Sequence, residues 1–316
     1  MTLSVRDLKV TVGTVEAVRG ISFDIAPGRR MGLIGESGSG KSLTALAIMG
    51  LLNDGLHASG RVEYGGEDLL AMREDDLCRL RGDRLAMIFQ EPMTALDPLM
   101  RIGDQVAEPL RVHRPALGRA EVREQVLELL RRVQMPDPQE KLNAYPHQLS
   151  GGQRQRVMIA AAMACGPDLL VADEPTTALD VTVQARILKL LNQLVDEENA
   201  ALLLITHDLA VVDQVCEEVL VMYGGRIVES GATFEVFGNP HHPYTVGLMD
   251  AIPSVDGAIA ADRRLRAIPG AVPPLGGFPS GCPFRNRCPK ADDRCVEMPA
   301  MDRLGAHDVA CWHPVQ

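Results

Sequence analysis

The chain is predicted to adopt an α/β fold. A parallel-sheet core with crossover helices is joined to a small antiparallel β subdomain and a helical subdomain, and a small Cys/Pro-rich C-terminal extension follows. Three observations carry this. Apolar runs of strand length at 168–174 and 201–206, bounded by Pro167 and Pro175, enclose a helical stretch at 182–198. That alternation argues parallel strands linked by helices. Residues 3–25 instead alternate β-like runs with turn residues, the pattern of an antiparallel sheet. Beyond Gly238, prolines at 240, 243, 253, 269, 273, 274, 279, 283 and 289 forbid long helices, and four of the seven cysteines fall after residue 281. The main domain therefore spans 1–240 and the extension 241–316.

Taken in order, Leu3–Val12 and Val15–Ile25 read as the antiparallel pair, and Arg30–Ile34, after Pro27-Gly28, as a buried strand. The apolar run behind Lys41, through Leu52, is a helix. Residues 60–69 return as a strand with a Gly65-Gly66 turn. A short buried strand at 85–90 precedes a helical subdomain at about 91–165, where Val122, Val126, Leu129, Leu130 and Val133 share one face. Residues 219–223 and 226–229 read as a hairpin around Gly224-Gly225. No internal repeat or low-complexity tract is visible.

Charged residues at 23% and hydrophobic ones at 46% suit a soluble globular protein. A formal charge of −10 gives no general attraction to nucleic acid or anionic lipid. The longest apolar stretch, 157–165, is far shorter than the roughly 20 residues of a membrane span. The start, Met1-Thr2-Leu3-Ser4-Val5-Arg6, shows no apolar secretory signal, so a cytoplasmic chain is expected. There, clustered cysteines read as metal ligands rather than as a disulfide framework.

Gly35-Glu36-Ser37-Gly38-Ser39-Gly40-Lys41-Ser42 fits G-x-x-x-x-G-K-[ST] between a strand and a helix, the setting that gives the pattern its meaning. Backbone N–H groups freed by the glycines can wrap phosphates, and the helix start adds a positive dipole end. Lys41 would neutralise the β- and γ-phosphates of a nucleotide, and the Ser42 hydroxyl would ligate Mg²⁺. Asp173 ends an apolar strand, which puts its carboxylate at the carboxyl edge of the sheet beside this loop. That place suits Mg²⁺ binding through water. Ser150 reads as an N-cap, with Gly151 and Gly152 exposing the N–H groups of a helix over 154–165 to an anion.

The loop at 35–42, Gln90, Leu149-Ser150-Gly151-Gly152-Gln153, the strand ending Asp173-Glu174, and His207 follow one another in an order and spacing that resemble the nucleotide-binding domain of ATP-binding cassette (ABC) proteins, from about residue 3 to 240. The resemblance implies a P-loop ABC fold, with ATP as the nucleotide. It makes Glu174 the general base that polarises the attacking water. His207 becomes the contact to the γ-phosphate that orders this base. Gln90 would link the nucleotide and its Mg²⁺ to the helical subdomain. It also makes Ser150, Gly151, Gly152 and Gln153 a signature that grips the γ-phosphate held by a second subunit. Two cassettes then sandwich two ATPs. Ala178-Leu179-Asp180 resembles the D-loop, which acts across that dimer; taken alone, Asp180 is equally an N-cap. One departure stands out. The family places an aromatic residue for stacking on adenine about 23 positions before the first loop glycine, where this chain has Val12, with Ala17 and Val18 nearby. Adenine would then be held by apolar contact, because Phe23 reads as a core residue.

Asn239-Pro240-His241-His242-Pro243-Tyr244-Thr245, Ala251-Ile252-Pro253, Ile268-Pro269-Gly270, the run from Gly281 to Pro289, Cys295 and Ala310-Cys311-Trp312 resemble the extension of importer ATPases of the oligopeptide, dipeptide and nickel branch. Cys282, Cys288, Cys295 and Cys311 are spaced C-x5-C-x6-C-x15-C, without the close pairs that structural zinc favours. Four thiolates, two of them followed by proline, suit a [4Fe–4S] cluster. Zn²⁺, and cysteines left unliganded or disulfide-bonded in an isolated preparation, stay open. Cys78, Cys165 and Cys216 read as ordinary small residues.

The resemblance as a whole implies the ATPase subunit of a peptide-importing ABC transporter, peripheral on the cytoplasmic face of the cell membrane. Its partners would be two permease subunits, a second ATPase (related or identical) and an extracytoplasmic solute-binding protein, with no nucleic acid. A nickel or other small-solute importer of the same branch is the alternative. From another class, a soluble cassette ATPase acting on DNA or ribosomes competes, but such proteins carry a long coiled coil or two cassettes per chain. An iron–sulfur redox protein with a degenerate ATPase conflicts with the intact Lys41, Glu174 and His207.

Overall fold

The computed structural model describes residues 3–177, 179–251 and 267–315. Ala178 of the D-loop segment and Ile252-Pro253 of the extension lie outside these. Near the start, β1 (Leu3–Val12) and β2 (Val15–Ile25) pair antiparallel as expected. β3 (Arg30–Ile34) then enters a different sheet and leads through residues 35–40 into α1 (Lys41–Met49). The next strand, β4 (Leu56–Tyr64), begins earlier than the sequence suggested, because 56–61 are half-buried or exposed and carry no apolar signal. It also ends sooner. After the turn comes only a two-residue β5 (Glu67–Asp68), where the Asp68 side chain accepts from Leu70 N and caps a 3₁₀ turn, Leu69–Ala71. The small sheet thus runs β2-β1-β4-β5.

After α2 (Glu74–Leu80) and β6 (Leu85–Ile88) the chain is mostly helical: α3 (Pro92–Ala95), α4 (Ile102–His113), α5 (Arg119–Arg132), α6 (Pro138–Lys141) and α7 (Gly151–Ala162). Val122, Val126, Leu129, Leu130 and Val133 are all buried. They share a core with Ile102, Val106 and Leu110 of α4. β7 (Leu169–Asp173), α8 (Val181–Glu198), β8 (Ala201–Thr206) and α9 (Leu209–Val215) supply the crossover units, and both strands are buried on every residue. β3, β6, β7 and β8 are parallel neighbours in the order β3-β8-β7-β6, and β9 (Glu218–Tyr223) lies parallel on the far side of β3.

β10 (Arg226–Ala232) closes the expected hairpin, and α10 (Thr233–Gly238) and α11 (Pro243–Asp250) follow. The segment past residue 240 then returns to the main sheet. β11 (Asp302–Leu304) and β12 (His307–Val309) pair with each other, and β12 pairs with β10, extending the order to β11-β12-β10-β9-β3-β8-β7-β6. The fully buried Glu229 of β10 is the hub of this junction. Its carboxylate accepts from His241 N at 2.6 Å and His242 N at 3.1 Å and lies 2.9 Å from His307 Nε2. His242 caps α11, accepting Tyr244 N on Nδ1 at 3.0 Å, and burial holds its imidazole down to about 3, so it stays the neutral acceptor that the cap needs.

Candidate functional site

Sheet register gathers the site. Ile34 at the end of β3 pairs with Thr206 at the end of β8, and Asp173 at the end of β7 pairs with Ile205. The phosphate-type loop, Asp173-Glu174 and His207 therefore leave the sheet side by side at its carboxyl edge, where parallel α/β sheets bind ligands.

The loop is built around two glycines. Gly35, at φ 152°, lies so close to β9 that a Cβ would sit 2.1 Å from Met222 O. Gly40, at φ 100°, is the N-cap of α1 in left-handed geometry that a side chain would strain. Glu36, Ser37, Gly38 and Ser39 bridge them. The Ser39 hydroxyl is fully buried without a protein partner. Lys41 is buried, with Nζ donating to Gly35 O at 2.8 Å and Glu36 O at 3.2 Å, so the ammonium rests on the loop's own carbonyls. Burial lowers its pKa, opposed by the charges of Glu174, Asp173 and Glu36.

Asp173 accepts from the Ser42 hydroxyl, and its Oδ1 is buried with no partner. Burial raises its carboxyl, helped by Glu174 and opposed by Ser42 and Lys41. An orphaned carboxylate oxygen beside a serine hydroxyl is a donor set that fits a hard divalent cation such as Mg²⁺. Burial likewise raises the Glu174 carboxyl, but hydrogen bonds from Thr177 and His207 and the charges of His207 and Lys41 outweigh it, so its pKa lies below the usual range. Thr177 Oγ1 donates to Glu174 Oε2 at 2.7 Å, Gln90 Nε2 reaches the same oxygen at 3.3 Å, and His207 Nδ1 lies 3.3 Å from Oε1. Glu174 also holds φ at 46°, a strained backbone for a side chain of this size and one that clusters at functional sites. The sequence reading missed Thr177, although its place three residues past Glu174 is the natural reach for such a contact.

Three other groups lie on other elements. Ser150 caps α7, its Oγ accepting from Gln153 N at 3.4 Å while Gln153 Oε1 accepts from Ser150 N at 3.1 Å. This capping box leaves Ser150 and Gly151 exposed and Gly152 partly so. Asp180 caps α8 through Val183 N at 3.0 Å and is exposed. Val12, half-buried, pairs with Val15 at the tip of the β1–β2 hairpin, and Phe23 is a core residue.

In the extension, Cys282 and Cys295 are buried and Cys288 and Cys311 half-buried, all four as free thiols. Burial pushes the Cys282 and Cys311 thiols up to about 11 and raises Cys288. Backbone N–H groups answer this. Lys290 N donates to Cys288 Sγ at 3.4 Å and His313 N to Cys311 Sγ at 3.3 Å, while Phe284 and Arg285 serve Cys282. Such bonds favour thiolates, but burial outweighs them at Cys282, Cys288 and Cys311; four sulfur donors are the ligand type that zinc and iron–sulfur centres both take. Among the described residues, the one group of three or more ligands within 4.8 Å is Asp292, Cys295 and His313, not three cysteines.

Comparison with known proteins agrees with this geometry. A family model for ABC transporters matches residues 18–177, and one for the oligopeptide/dipeptide transporter C-terminal region matches residues 228–295. The chain is 46% identical to the oligopeptide transport ATP-binding protein OppD of Escherichia coli, over 99% of this chain and 94% of that protein. It is 48% identical to the probable D,D-dipeptide transport ATP-binding protein DdpD of the same organism, over 96% and 93%. The dimeric ATP-binding cassette MJ0796, solved with ADP and Pi, superposes with a TM-score of 0.66 at 29% identity, covering 74% of this chain and 99% of that one.

Proposed function

The chain belongs to the ABC transporter family, and on that premise we propose that it is the ATP-hydrolysing subunit of an importer of peptides. The observation that carries the chemistry is the convergence of Lys41, Asp173, Glu174 and His207 at the carboxyl ends of β3, β7 and β8. The loop at 35–42 wraps the phosphates, and Lys41 moves from the loop carbonyls to the β- and γ-phosphates. Ser42 and Asp173, together with Gln90, which touches Glu174, would hold Mg²⁺, and the ion would supply neutralisation of phosphate charge. Held ionised by Thr177 and His207, Glu174 orients the attacking water and takes its proton. Ser150, Gly151, Gly152 and Gln153 receive the γ-phosphate from a second cassette, since an exposed capped helix start is an anion site, and Asp180 acts across the same interface.

Gln90 joins chemistry to movement. It touches Glu174, and the preceding Phe89, 41% exposed, lines an apolar groove of about 510 Å³ with Met49, Leu51, Leu85, Val112 and Met158. This groove, between core and helical subdomain, suits an apolar cytoplasmic segment of a permease. The partners are two permeases, a second ATPase and an extracytoplasmic binding protein that selects the solute, and the chain works at the cytoplasmic face of the membrane. No helix among the described residues is long and apolar enough to cross a membrane. The peptide assignment rests on the likeness of nearly the whole chain to oligopeptide-transport relatives.

Purification from native membranes in mild detergent tests this. Two polytopic membrane proteins and a second ATPase should co-elute in equal amounts, and a strain lacking the chain should lose growth on peptides but not on free amino acids. Ribosomes or DNA in their place would overturn the transport reading. Lost nickel uptake with intact peptide growth would shift it to the nickel importers.

Cys282, Cys288, Cys295 and Cys311 would hold a [4Fe–4S] cluster on this reading, which would act as a staple for a proline-rich segment poor in apolar core. Anaerobic purification should give about four irons and four acid-labile sulfides per chain. Stoichiometric zinc without sulfide would replace the cluster by a zinc staple.

A further inference from the structure

Glu36, the second residue of the phosphate loop, is held by the C-terminal extension at two points. Arg287 grips its carboxylate with a two-pronged ion pair, Nη1–Oε2 2.5 Å and Nη2–Oε1 3.1 Å. Tyr244 Oη accepts the Glu36 backbone N–H at 2.7 Å. Neither group is a casual surface contact. The Arg287 side chain is 6% exposed. Its Nε donates to Pro269 O at 2.8 Å and its Nη1 to Tyr223 Oη at 3.2 Å, and the guanidinium lies over the rings of Tyr223 and Phe284. Tyr244 is fully buried and packs on the same two rings. A planar fork fixed on all sides matches a carboxylate in one geometry only.

The loop sequence makes this contact consequential. Glu36 puts a carboxylate into a loop built to receive a polyanion, and its charge already acts on Lys41. Unpaired, it would repel the phosphates and compete for the lysine. We propose that Arg287 and Tyr244 are positioning residues for nucleotide binding: the extension completes the phosphate loop by neutralising Glu36 and turning it away from the phosphates. The extension is then part of the ATP site as well as an appendage to it. Because Arg287 directly precedes Cys288, whatever the four thiols bind also fixes the backbone that presents the guanidinium.

This inference rests on residues 35–42 being the loop that receives ATP, and equilibrium titration of the full chain separates the two. ATP and adenosine are titrated onto the wild type, Arg287→Met, Glu36→Gln and the double variant, with the thermal midpoint of each as a folding control. Arg287→Met leaves one uncompensated charge beside the phosphates and should weaken ATP binding roughly 10–30-fold, as a unit charge partly screened by water predicts at this range, with adenosine binding unchanged. Adding Glu36→Gln should restore ATP affinity to within about threefold of wild type, by the same charge balance. Should Arg287→Met fail to fold, Arg287→Lys replaces it. Lysine keeps the charge but loses the fork, and it should weaken ATP binding by a smaller factor that Glu36→Gln again reverses. Equal ATP affinity in wild type and the Arg287 variant, or an equal loss for ATP and adenosine that Glu36→Gln does not repair, overturns the inference and leaves Arg287 a structural residue. A wild type that binds no ATP overturns the phosphate-loop reading instead.

Discussion

Glu174→Gln should lower ATP turnover by roughly 10²–10⁴-fold in the assembled transporter while leaving ATP affinity near wild type, the usual cost of removing a positioned general base. Gln keeps the shape of the side chain and an acceptor for Thr177 Oγ1, so the contact at 2.7 Å survives. It loses the negative charge that faces His207 and the basicity that takes a proton from water. Lys41, Ser42 and the loop glycines are untouched, which is why binding should hold. Turnover within a few-fold of wild type would remove Glu174 from the chemistry. The variant should also accumulate the nucleotide-bound pair of cassettes, since the γ-phosphate proposed to be received by Ser150, Gly151, Gly152 and Gln153 of the second cassette then stays uncleaved.

The contiguous motifs were legible in the sequence because their chemistry is local. A strand, a glycine loop and a helix start lie within a dozen residues around Gly35 and Lys41, and Asp173-Glu174 closes a run of apolar residues that can only be a buried strand. What register adds is adjacency: nothing in the sequence says that Ile34 stands opposite Thr206, yet that pairing brings His207 to Glu174. Short and polar elements were not legible. β11 and β12 are three residues each, too short for a periodicity to show, so nothing marks Asp302–Leu304 and His307–Val309 as the last two strands at one end of the main sheet, although His307 and Val309 are buried. Contacts between distant segments were the hardest of all. Arg287 lies 251 residues from Glu36, and in sequence it looks like any basic residue between two cysteines. Its burial and two-pronged geometry are visible only in three dimensions. The four cysteines were intermediate: their number and prolines suggested a metal site, while the approach of Asp292 and His313 to Cys295 needed the fold.

Lys41→Ala should act on binding itself, and by a different route from Glu174→Gln. The ammonium is buried and held by two loop carbonyls, so it is poised over the space that the loop encloses. Burial alone disfavours the charged form, and the surrounding carboxylates of Glu174, Asp173 and Glu36 are what sustain it. Alanine removes the cation and leaves those carboxylates facing an incoming triphosphate. A hydrogen bond to a charged group contributes about 1.5–3 kcal/mol, so ATP affinity should fall by roughly 10–150-fold. Adenosine, which has no phosphates to neutralise, should bind as before. Titrating both ligands distinguishes loss of a phosphate contact from general damage, because a collapsed loop or a destabilised α1 would weaken both together. Unchanged ATP affinity would show that Lys41 does not reach the phosphates. Combining Lys41→Ala with Arg287→Met then asks whether the two cations answer the same carboxylate. If Glu36 is shared between them, the losses should be less than additive, since neighbours in one charge network couple. Additive losses would mean that Lys41 acts on the phosphates independently of the Arg287–Glu36 pair.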